Sequence, residues 1–332
     1  MTTRSLLLHS AVIAALIALE PVLSAYHHGN LARIMVLAVY ATGYNVLFGY
    51  TGLLSLGHAM FFAAGMYGCA LLVRLAEWSV GPAFLAGVAC ALLVGIVVGL
   101  LALRTVGVGF MIVTLMFAEA AHLASLYANE YTRGDEGFTI PQAVRAVAGL
   151  DLSDTTTRYF AALALFAVCL LASAALVQSK AGRVLVAIRE NEDRVRMLGF
   201  DPFRYKLLAL VVSAVMSGAA GAAYAVLFGY AGASFAAVQY SIFPLLWVLL
   251  GGPGTTLGPL LGTILMFYLV DWASGTAMPG LASLVESAFG VEAPGLASAY
   301  MLMVGLALVL LVLFAPRGVL GAVRARMMPW LP

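Results

Sequence analysis

The stretch KAGRVLVAIRENEDRVRMLGFDPFRYK, residues 180–206, concentrates charge in a chain that otherwise has little of it. It holds seven of the 17 basic residues and four of the 15 acidic ones. The whole chain is 63% hydrophobic and 10% charged, with a mean hydropathy of +1.03. An average soluble domain is roughly half apolar and a quarter charged. The pattern therefore indicates a helical membrane protein that presents one charged loop to the aqueous phase.

Long apolar segments flank this loop and repeat along the chain. Because a membrane helix needs roughly 20 apolar residues, and a barrel would show short alternating segments, we predict an all-α polytopic membrane protein with about ten (range 8–10) transmembrane helices. The predicted segments are 5–25, 31–49, 58–76, 82–103, 107–128, 159–178, 207–231, 236–252, 255–273 and 298–315. They form a single domain over residues 1–332, in which we interpret the first segment as a retained helix rather than a signal peptide. The eighth segment is short, and we expect a helix break at Gly252 because Pro253 disfavours helical geometry in its predecessor.

The distribution of lysine and arginine predicts the orientation, because loops rich in these residues stay cytoplasmic. Residues 179–206 and the C-terminal tail, which carries three arginines, are therefore expected inside. Counting spans back from them places the N-terminus inside as well. Residues 129–158 and 274–297 then form external loops.

Motifs that would indicate an enzyme are missing from the sequence. It contains no GxxxxGK[ST], no HExxH and no GxSxG. Its three cysteines, Cys69, Cys90 and Cys169, lie in apolar segments without the spacing of metal ligands. We predict that the chain is not an enzyme, holds no metal and has no nucleic-acid partner.

Two glycine-rich stretches interrupt the apolar segments: GYNVLFGYTGLLSLGHAMFFAAGMYG, residues 43–68, and LLGGPGTTLGPLLG, residues 249–262. Glycine and proline permit non-helical backbone where protein or a water-filled cavity surrounds it, and such breaks in both halves point to a translocation path. The candidate path residues are Gly52, Ser55, Gly57, His58, Gly251, Gly252 and Gly254. Close packing through small residues is the alternative for the glycines, and the one that we favour for Gly95 and Gly99. For His58 the alternative, which we favour, is a structural or capping residue.

Glu119 is a carboxylate deep inside a predicted span, in TLMFAEAAHLASL. Such a group is costly in lipid and normally faces the bundle interior with a partner. His122 lies three residues later on the same helix face. We include Glu119 among the path candidates, and the alternative is an internal Glu119–His122 pair that stabilises helix packing.

Within the charged loop, residues 184–198 are predicted to form one short amphipathic helix. Its apolar positions at helical spacing are Val184, Ile188, Val195 and Leu198. Gly199 can supply the left-handed residue that ends a helix. Such a helix is suited to contact with a soluble protein, and the alternative is a solvated connector held near anionic lipid.

The predicted external loop contains Thr132-Arg133-Gly134-Asp135-Glu136-Gly137. Two glycines around two acids predict a tight turn at an exposed surface. Arg133, Asp135 and Glu136 could contact a soluble donor protein, or the turn could simply close the loop.

Four stretches resemble the permease subunits of branched-chain amino acid ABC transporters, of the LivM-like type. They are GYTGLLSLGHAMFFAAGMYG, GRVLVAIRENEDRVRMLGFDPFRYKLLALVVSA, LLGGPGTTLGPLLG and LFAPRGVLG. They occur in the family's order between about residues 43 and 321. The charged loop resembles the coupling helix of ABC importers, which assigns ATPase coupling to Ala187, Ile188, Arg189, Glu190, Asn191, Glu192, Asp193, Arg194 and Gly199.

The resemblance implies an assembly in the bacterial cytoplasmic (inner) membrane. Two permease subunits, expected as a heterodimer, would form the path through the bilayer, and a periplasmic binding protein would deliver the substrate. Two ATP-binding subunits would hold ATP and Mg, so no cofactor is expected in this chain. Two departures from the family pattern, Arg133 in place of glycine and Arg104-Thr105-Val106-Gly107 in place of Arg-x-Arg-Gly, leave the substrate open.

Several alternatives remain at this point. The same architecture serves urea, short amides and small organic acids as well as branched-chain amino acids. An ion-coupled secondary transporter would need ionisable groups near the midplane, for which Glu119 is the clear candidate. No residue spacing that is recognisable as catalytic supports an intramembrane enzyme.

Overall fold

The computed structural model describes residues 3–147, 149–277, 300–314 and 317–326. Most of the predicted external loop 274–297, residues 278–297, lies outside these residues. The predicted tenth segment corresponds to the helix Tyr300–Phe314.

The described residues are mainly helical, in agreement with the all-α prediction. The helices are α1 Thr3–Leu19, α2 Ala25–Asn45, α3 His58–Leu75, α4 Val80–Ala102, α5 Val108–Tyr127, α6 Asn129–Thr132, α7 Thr155–Gln178, α8 Lys180–Glu190, α9 Glu192–Met197, α10 Pro202–Phe228, α11 Val238–Gly251, α12 Gly258–Trp272, α13 Tyr300–Phe314 and α14 Gly318–Arg326. One turn of π-helix, Val46–Tyr50, extends α2, and another, Ala273–Ala277, follows α12.

In the part of the chain that the structure describes, four strands of two residues each lie in the loops. β1 Phe138–Thr139 pairs antiparallel with β4 Tyr230–Ala231, and β2 Ala146–Val147 pairs with β3 Leu150–Asp151. These short ladders fold the predicted external loop 129–158 and attach it to the end of α10.

Seven helices in the described residues are long and apolar enough to cross a membrane. They are Ser5–Val22, Tyr26–Tyr50, His58–Leu75, Val80–Ala102, Val108–Tyr127, Thr155–Gln178 and Pro202–Phe228. The other three predicted segments contain the shorter helices α11, α12 and α13. The prediction of a polytopic helical membrane protein is thus confirmed, and each predicted segment contains a helix.

α2 and α10 form the centre of the bundle. Of the 18 consecutive residues that are most apolar in each helix, 89% are buried in α2 and 78% in α10, against 11% in α1. Small residues allow α10 to approach its neighbours closely: a Cβ on Gly95 would lie 2.6 Å from the Cβ of Ala214, and one on Gly99 would lie 2.6 Å from Cδ1 of Leu207. Gly95 and Gly99 are therefore packing residues, as we favoured from the sequence.

α11 is short and ends where the sequence predicted a break. It contains Pro244 and stops at Gly251, and Gly252 has a φ of +123°. A left-handed backbone of this kind favours glycine. The chain turns there and starts α12 at Gly258.

Candidate functional site

The charged loop between α7 and α10 contains two short helices, α8 and α9, instead of the one helix predicted over 184–198. Asn191 separates them in an extended conformation with φ −161°. Its side-chain oxygen accepts a hydrogen bond of 2.9 Å from the N–H of Arg194, which caps the start of α9. The single-helix prediction is therefore wrong, because an asparagine that bonds to nearby backbone competes with helix continuation.

This break changes the apolar edge of the loop. Ile188 and Val195 are buried, as predicted, and Leu185 is buried beside them. Leu198, predicted on the same edge, is 68% exposed, and Val184 is half-buried. The helical spacing that placed Leu198 inside does not continue through Asn191.

Gly199 ends α9 as the sequence predicted. Its φ is +84°, and its N–H donates to the carbonyl of Arg196 over 3.0 Å. The N–H of Phe200 donates to the carbonyl of Val195 over 3.3 Å. This pair of bonds around a left-handed glycine satisfies carbonyl groups at the helix end, so the loop is closed by a defined turn.

Glu192 holds the loop onto α10. Its carboxylate forms an ion pair of 2.7 Å with Arg196 and a second, short ion pair with Lys206, whose side chain is largely buried. Removing the carboxylate would leave Lys206 buried without this partner. Glu192 thus stabilises the loop in addition to any role at its surface.

The outward side of the loop carries both polar and apolar side chains. Glu190, Asn191, Asp193 and Arg194 are exposed. Met197, Leu198 and Phe200 next to them are exposed to 80%, 68% and 44%. Mixed surfaces of this kind are typical of sites that bind another protein.

Arg189 connects the loop to both glycine-rich stretches. Its Nη1 donates a short hydrogen bond to the carbonyl oxygen of Gly49. A Cβ on Gly52 would lie 3.0 Å from Cγ of Arg189, and one on Gly254 would lie 3.1 Å from its Nη1. The side chain of one loop residue therefore contacts backbone at the end of α2 and beyond the end of α11.

Asn45 joins the two glycine-rich stretches directly. It is fully buried, its amide nitrogen donates to the carbonyl of Thr255 over 2.9 Å, and its oxygen accepts from the N–H of Gly254 over 3.0 Å. A Cβ on Gly49 would lie 1.9 Å from that oxygen. The same Cβ would lie 2.6 Å from the nitrogen of Gly254, so the close approach of the two segments also requires glycine at 49.

The first stretch runs from the end of α2 through the π-turn into α3. Gly52 is exposed with φ +78°, and Ser55 is buried with its hydroxyl accepting from the N–H of Gly57 over 3.2 Å. A Cβ on Gly57 would lie 2.1 Å from the carbonyl oxygen of Thr114 in α5. The stretch therefore passes against α5, and Gly57 has a packing reason for its identity.

His58 begins α3 and is completely buried. Its Nε2 lies 2.6 Å from the hydroxyl oxygen of Ser213, and that hydroxyl donates to the carbonyl of Gly43 over 2.6 Å. Nε2 must therefore carry the proton. Nδ1 is buried and has no hydrogen-bond partner among the described residues.

The glycines of the second stretch pack against backbone. A Cβ on Gly251 would lie 1.8 Å from the carbonyl oxygen of Gly258, and one on Gly252 would lie 2.9 Å from the nitrogen of Gly321 in α14. Gly252 and Gly254 both have positive φ. Packing and turn geometry account for these glycines. The close packing also places the connection between α11 and α12 in contact with Arg189 and Asn45.

Glu119 lies apart from this group. It is half-buried on α5 and forms no hydrogen bond or ion pair with the described residues. His122 bonds through Nδ1 to the carbonyl of Ala233 over 3.1 Å. The structure does not contain the alternative Glu119–His122 pair, because Nδ1 of the imidazole bonds to the backbone at Ala233 and no bond joins the two side chains.

The external turn has the predicted form. Arg133, Asp135 and Glu136 are exposed, and Gly134 and Gly137 both have positive φ. Arg133 itself has φ +57° and ψ +23°, a left-handed conformation that suits glycine better than arginine. Arg133, which stands where the family pattern has glycine, thus adopts the left-handed backbone conformation that glycine adopts readily.

Sequence reasoning missed the polar residues that hold the interruptions together. Asn45, Thr114, Ser213 and Ser241 are buried, and the hydroxyl of Ser241 accepts from the N–H of Ala59 over 2.8 Å. A polar side chain inside an apolar segment was the available signal, since such groups usually need a partner.

These features define a class: a multi-pass helical membrane protein whose broken helices meet beside one charged loop. A family described as branched-chain amino acid transport system / permease component matches residues 28–313. The chain belongs to this permease family of ABC transporters.

Curated relatives agree with this assignment. The high-affinity branched-chain amino acid transport system permease proteins LivM of Salmonella typhimurium (strain LT2) and Escherichia coli (strain K12) are each 32% identical over 259 residues, which is 70% of this chain and 60% of the relative. A probable branched-chain amino acid transport permease protein LivM of Methanocaldococcus jannaschii is 30% identical over 156 residues, 46% of this chain and 44% of the relative. The match thus spans about three fifths of the two bacterial relatives. No solved structure matches.

Proposed function

We propose that the chain is the permease subunit of an ATP-driven importer in the bacterial cytoplasmic membrane. With a second permease subunit, expected to be a different chain, it forms a path for branched-chain or similar small amino acids. A periplasmic binding protein delivers the substrate at the side of Arg133, Asp135 and Glu136. Two ATP-binding subunits hold ATP and Mg, and one of them docks on the loop 179–206.

The contact of Arg189 with Gly49 carries this proposal. The two helices of the loop, α8 and α9, begin or end at the capping residues Ser179, Asn191 and Gly199, so the loop has a defined shape. Its outward surface offers charged and apolar side chains to a soluble partner, while its inward surface touches the backbone of both interruptions. A displacement of the loop by an ATPase would therefore be transmitted to the points where α2 and α11 are broken.

The substrate proposal rests on the family and its relatives. Their names describe branched-chain amino acid transport. Urea, short amides and small organic acids remain the alternative substrates within the same architecture. Purified binding protein from the same system, tested by calorimetry against leucine, isoleucine, valine and urea, decides between them, and binding of urea alone would overturn the amino-acid proposal.

Charge reversal at Glu190 tests docking of the ATPase. Glu190 is exposed, and unlike Glu192 it forms no described ion pair with Lys206. We expect Glu190→Lys to reduce transport-coupled ATP hydrolysis in proteoliposomes while insertion and pairing with the second permease stay normal. Arg104→Gln, an exposed change outside the loop, is the control. Normal coupling in Glu190→Lys would show that Glu190 is not part of the docking surface.

Glu119 favours a second candidate, an ion-coupled secondary transporter, because this carboxylate has no partner among the described residues. In the importer it would instead face the path or the second permease. Uptake that continues after collapse of the proton gradient, with ATP held constant, supports the importer. Uptake by this chain alone, driven by an ion gradient, would establish the secondary transporter.

A further inference from the structure

Three arginines from three different elements converge on the C-terminal end of α10. Cζ of Arg33 in α2 lies 5.2 Å from the ring centroid of Phe228, and Cζ of Arg158 in α7 lies 6.0 Å from it. A Cβ on Gly229 would lie 2.7 Å from Nη1 of Arg145. We call Arg33, Arg145 and Arg158 the arginine cluster. The predicted topology places this end of α10 outside.

The positive charge of the cluster is not balanced within the described part of the chain. None of the ion pairs found there includes any of the three arginines. The Nε atoms of Arg145 and Arg158 are buried without a hydrogen-bond partner among the described residues. Arg158 donates from Nη2 to the carbonyl of Ser153 over 2.5 Å, which is a neutral acceptor.

Burial and the neighbouring Arg158 charge lower the pKa of Arg145, while Asp151 acts in the opposite direction. Asp151 is exposed and bonds to the N–H of Ser153 over 2.8 Å and to the amide of Gln142 over 3.3 Å. The end of α10 supplies only about half a negative charge. Three guanidinium groups therefore exceed what the helix end can neutralise, and an anion from outside the chain would complete the site.

An apolar groove of about 770 Å³ begins next to the cluster. Its walls are α4 and α7, its floor is α10, and Phe84, Leu152, Phe160, Val168 and Leu227 contribute to its lining. The N–H of Leu152 donates to the carbonyl of Arg145 over 2.9 Å, and Leu227 precedes Phe228. Cluster and groove therefore share a border.

The groove has the length and exposure expected of a lipid site. Its α7 side runs from Thr156 to Val168, which is about 18 Å at the helical rise, and half of a bilayer core is about 15 Å thick. Phe160 and Val168 are exposed to 41% and 65%. A soluble anion would leave the groove unused, and a neutral lipid would leave the arginines unpaired.

We propose that the arginine cluster and this groove together bind one anionic phospholipid, with its phosphate on the guanidinium groups and an acyl chain along α7. Basic pockets between transmembrane helices bind anionic lipid head groups on the cytoplasmic side of membranes, and the same pairing of arginine with phosphate would operate at this end of α10. Arginine suits the role because its planar fork donates two hydrogen bonds to one phosphate. The proposal does not depend on the transported substrate.

Native mass spectrometry of the full chain in detergent, titrated with dioleoylphosphatidylglycerol or dioleoylphosphatidylcholine, tests the site. We expect the wild type to bind one phosphatidylglycerol about tenfold more tightly than phosphatidylcholine. Arg145→Gln/Arg158→Gln should lose this preference, whereas Arg104→Gln/Arg204→Gln, which removes two arginines elsewhere, should keep it. Equal binding of the two lipids by the wild type, or an unchanged preference in the first double variant, would refute the proposal.

Two further arms separate lipid from free anion and from misfolding. Ala164→Phe fills the groove without changing charge and should weaken phosphatidylglycerol binding, while inorganic phosphate should not displace the lipid at equal concentration. Arg145→Lys/Arg158→Lys retains both charges and should retain a measurable preference for phosphatidylglycerol. Displacement of the lipid by phosphate would show a simple anion site, and normal phosphatidylglycerol binding in Ala164→Phe would show that the lipid does not use the groove; either result would refute the proposal.

Discussion

Arg189→Ala tests whether the loop transmits force through its contact with the broken end of α2. The substitution removes the hydrogen bond to the carbonyl of Gly49 and the side-chain contact with Gly52. A hydrogen bond from a charged donor contributes roughly 1.5–3 kcal/mol. Because Arg189 is exposed, we take the lower end, which corresponds to about a tenfold change in an equilibrium constant.

The assay is the number of substrate molecules transported per ATP hydrolysed in proteoliposomes that contain the partner subunits and the binding protein. We expect Arg189→Ala to retain the ATPase on co-purification and to hydrolyse ATP, but to lose about tenfold in substrate-stimulated coupling. Arg104→Ala, an exposed arginine outside the loop, should behave as the wild type. Wild-type coupling in Arg189→Ala with intact docking would refute transmission through this contact, and loss of docking would show that Arg189 belongs to the ATPase surface instead.

Three further changes test the geometry of the site by thermal unfolding in detergent. Asn45→Leu removes the two hydrogen bonds that join the glycine-rich stretches and should destabilise the fold by about 2 kcal/mol; an unchanged melting temperature in this variant would contradict the bridge. Gly252→Val places a β-branched residue at φ +123° and should cost about 2 kcal/mol or more, while Gly29→Val, whose Cβ would meet nothing within 4 Å, serves as control. Arg133→Gly should raise the free energy of unfolding by up to about 1 kcal/mol because it relieves a left-handed arginine; a decrease would mean that the arginine side chain stabilises the turn.

The apolar segments and the charged loop were predictable because they depend on the difference between water and lipid, which composition records along the chain. The cap at Gly199 and the break at Gly252 were predictable for a similar reason, since glycine and proline act on the backbone of their own neighbourhood. The division of the loop at Asn191 was missed, because helical spacing alone does not show that an asparagine will cap a new helix.

Sequence alone therefore determined that this is a multi-pass helical membrane protein, which segments are helical and where two of them are interrupted. Only the tertiary structure decided that Asn45 and Arg189 bring the interruptions together, and that Arg33, Arg145 and Arg158 meet at Phe228. The physical reason is that lipid tails and neighbouring helices are equally apolar. A hydrophobic pattern consequently shows that a residue leaves water, but not which helix it packs against.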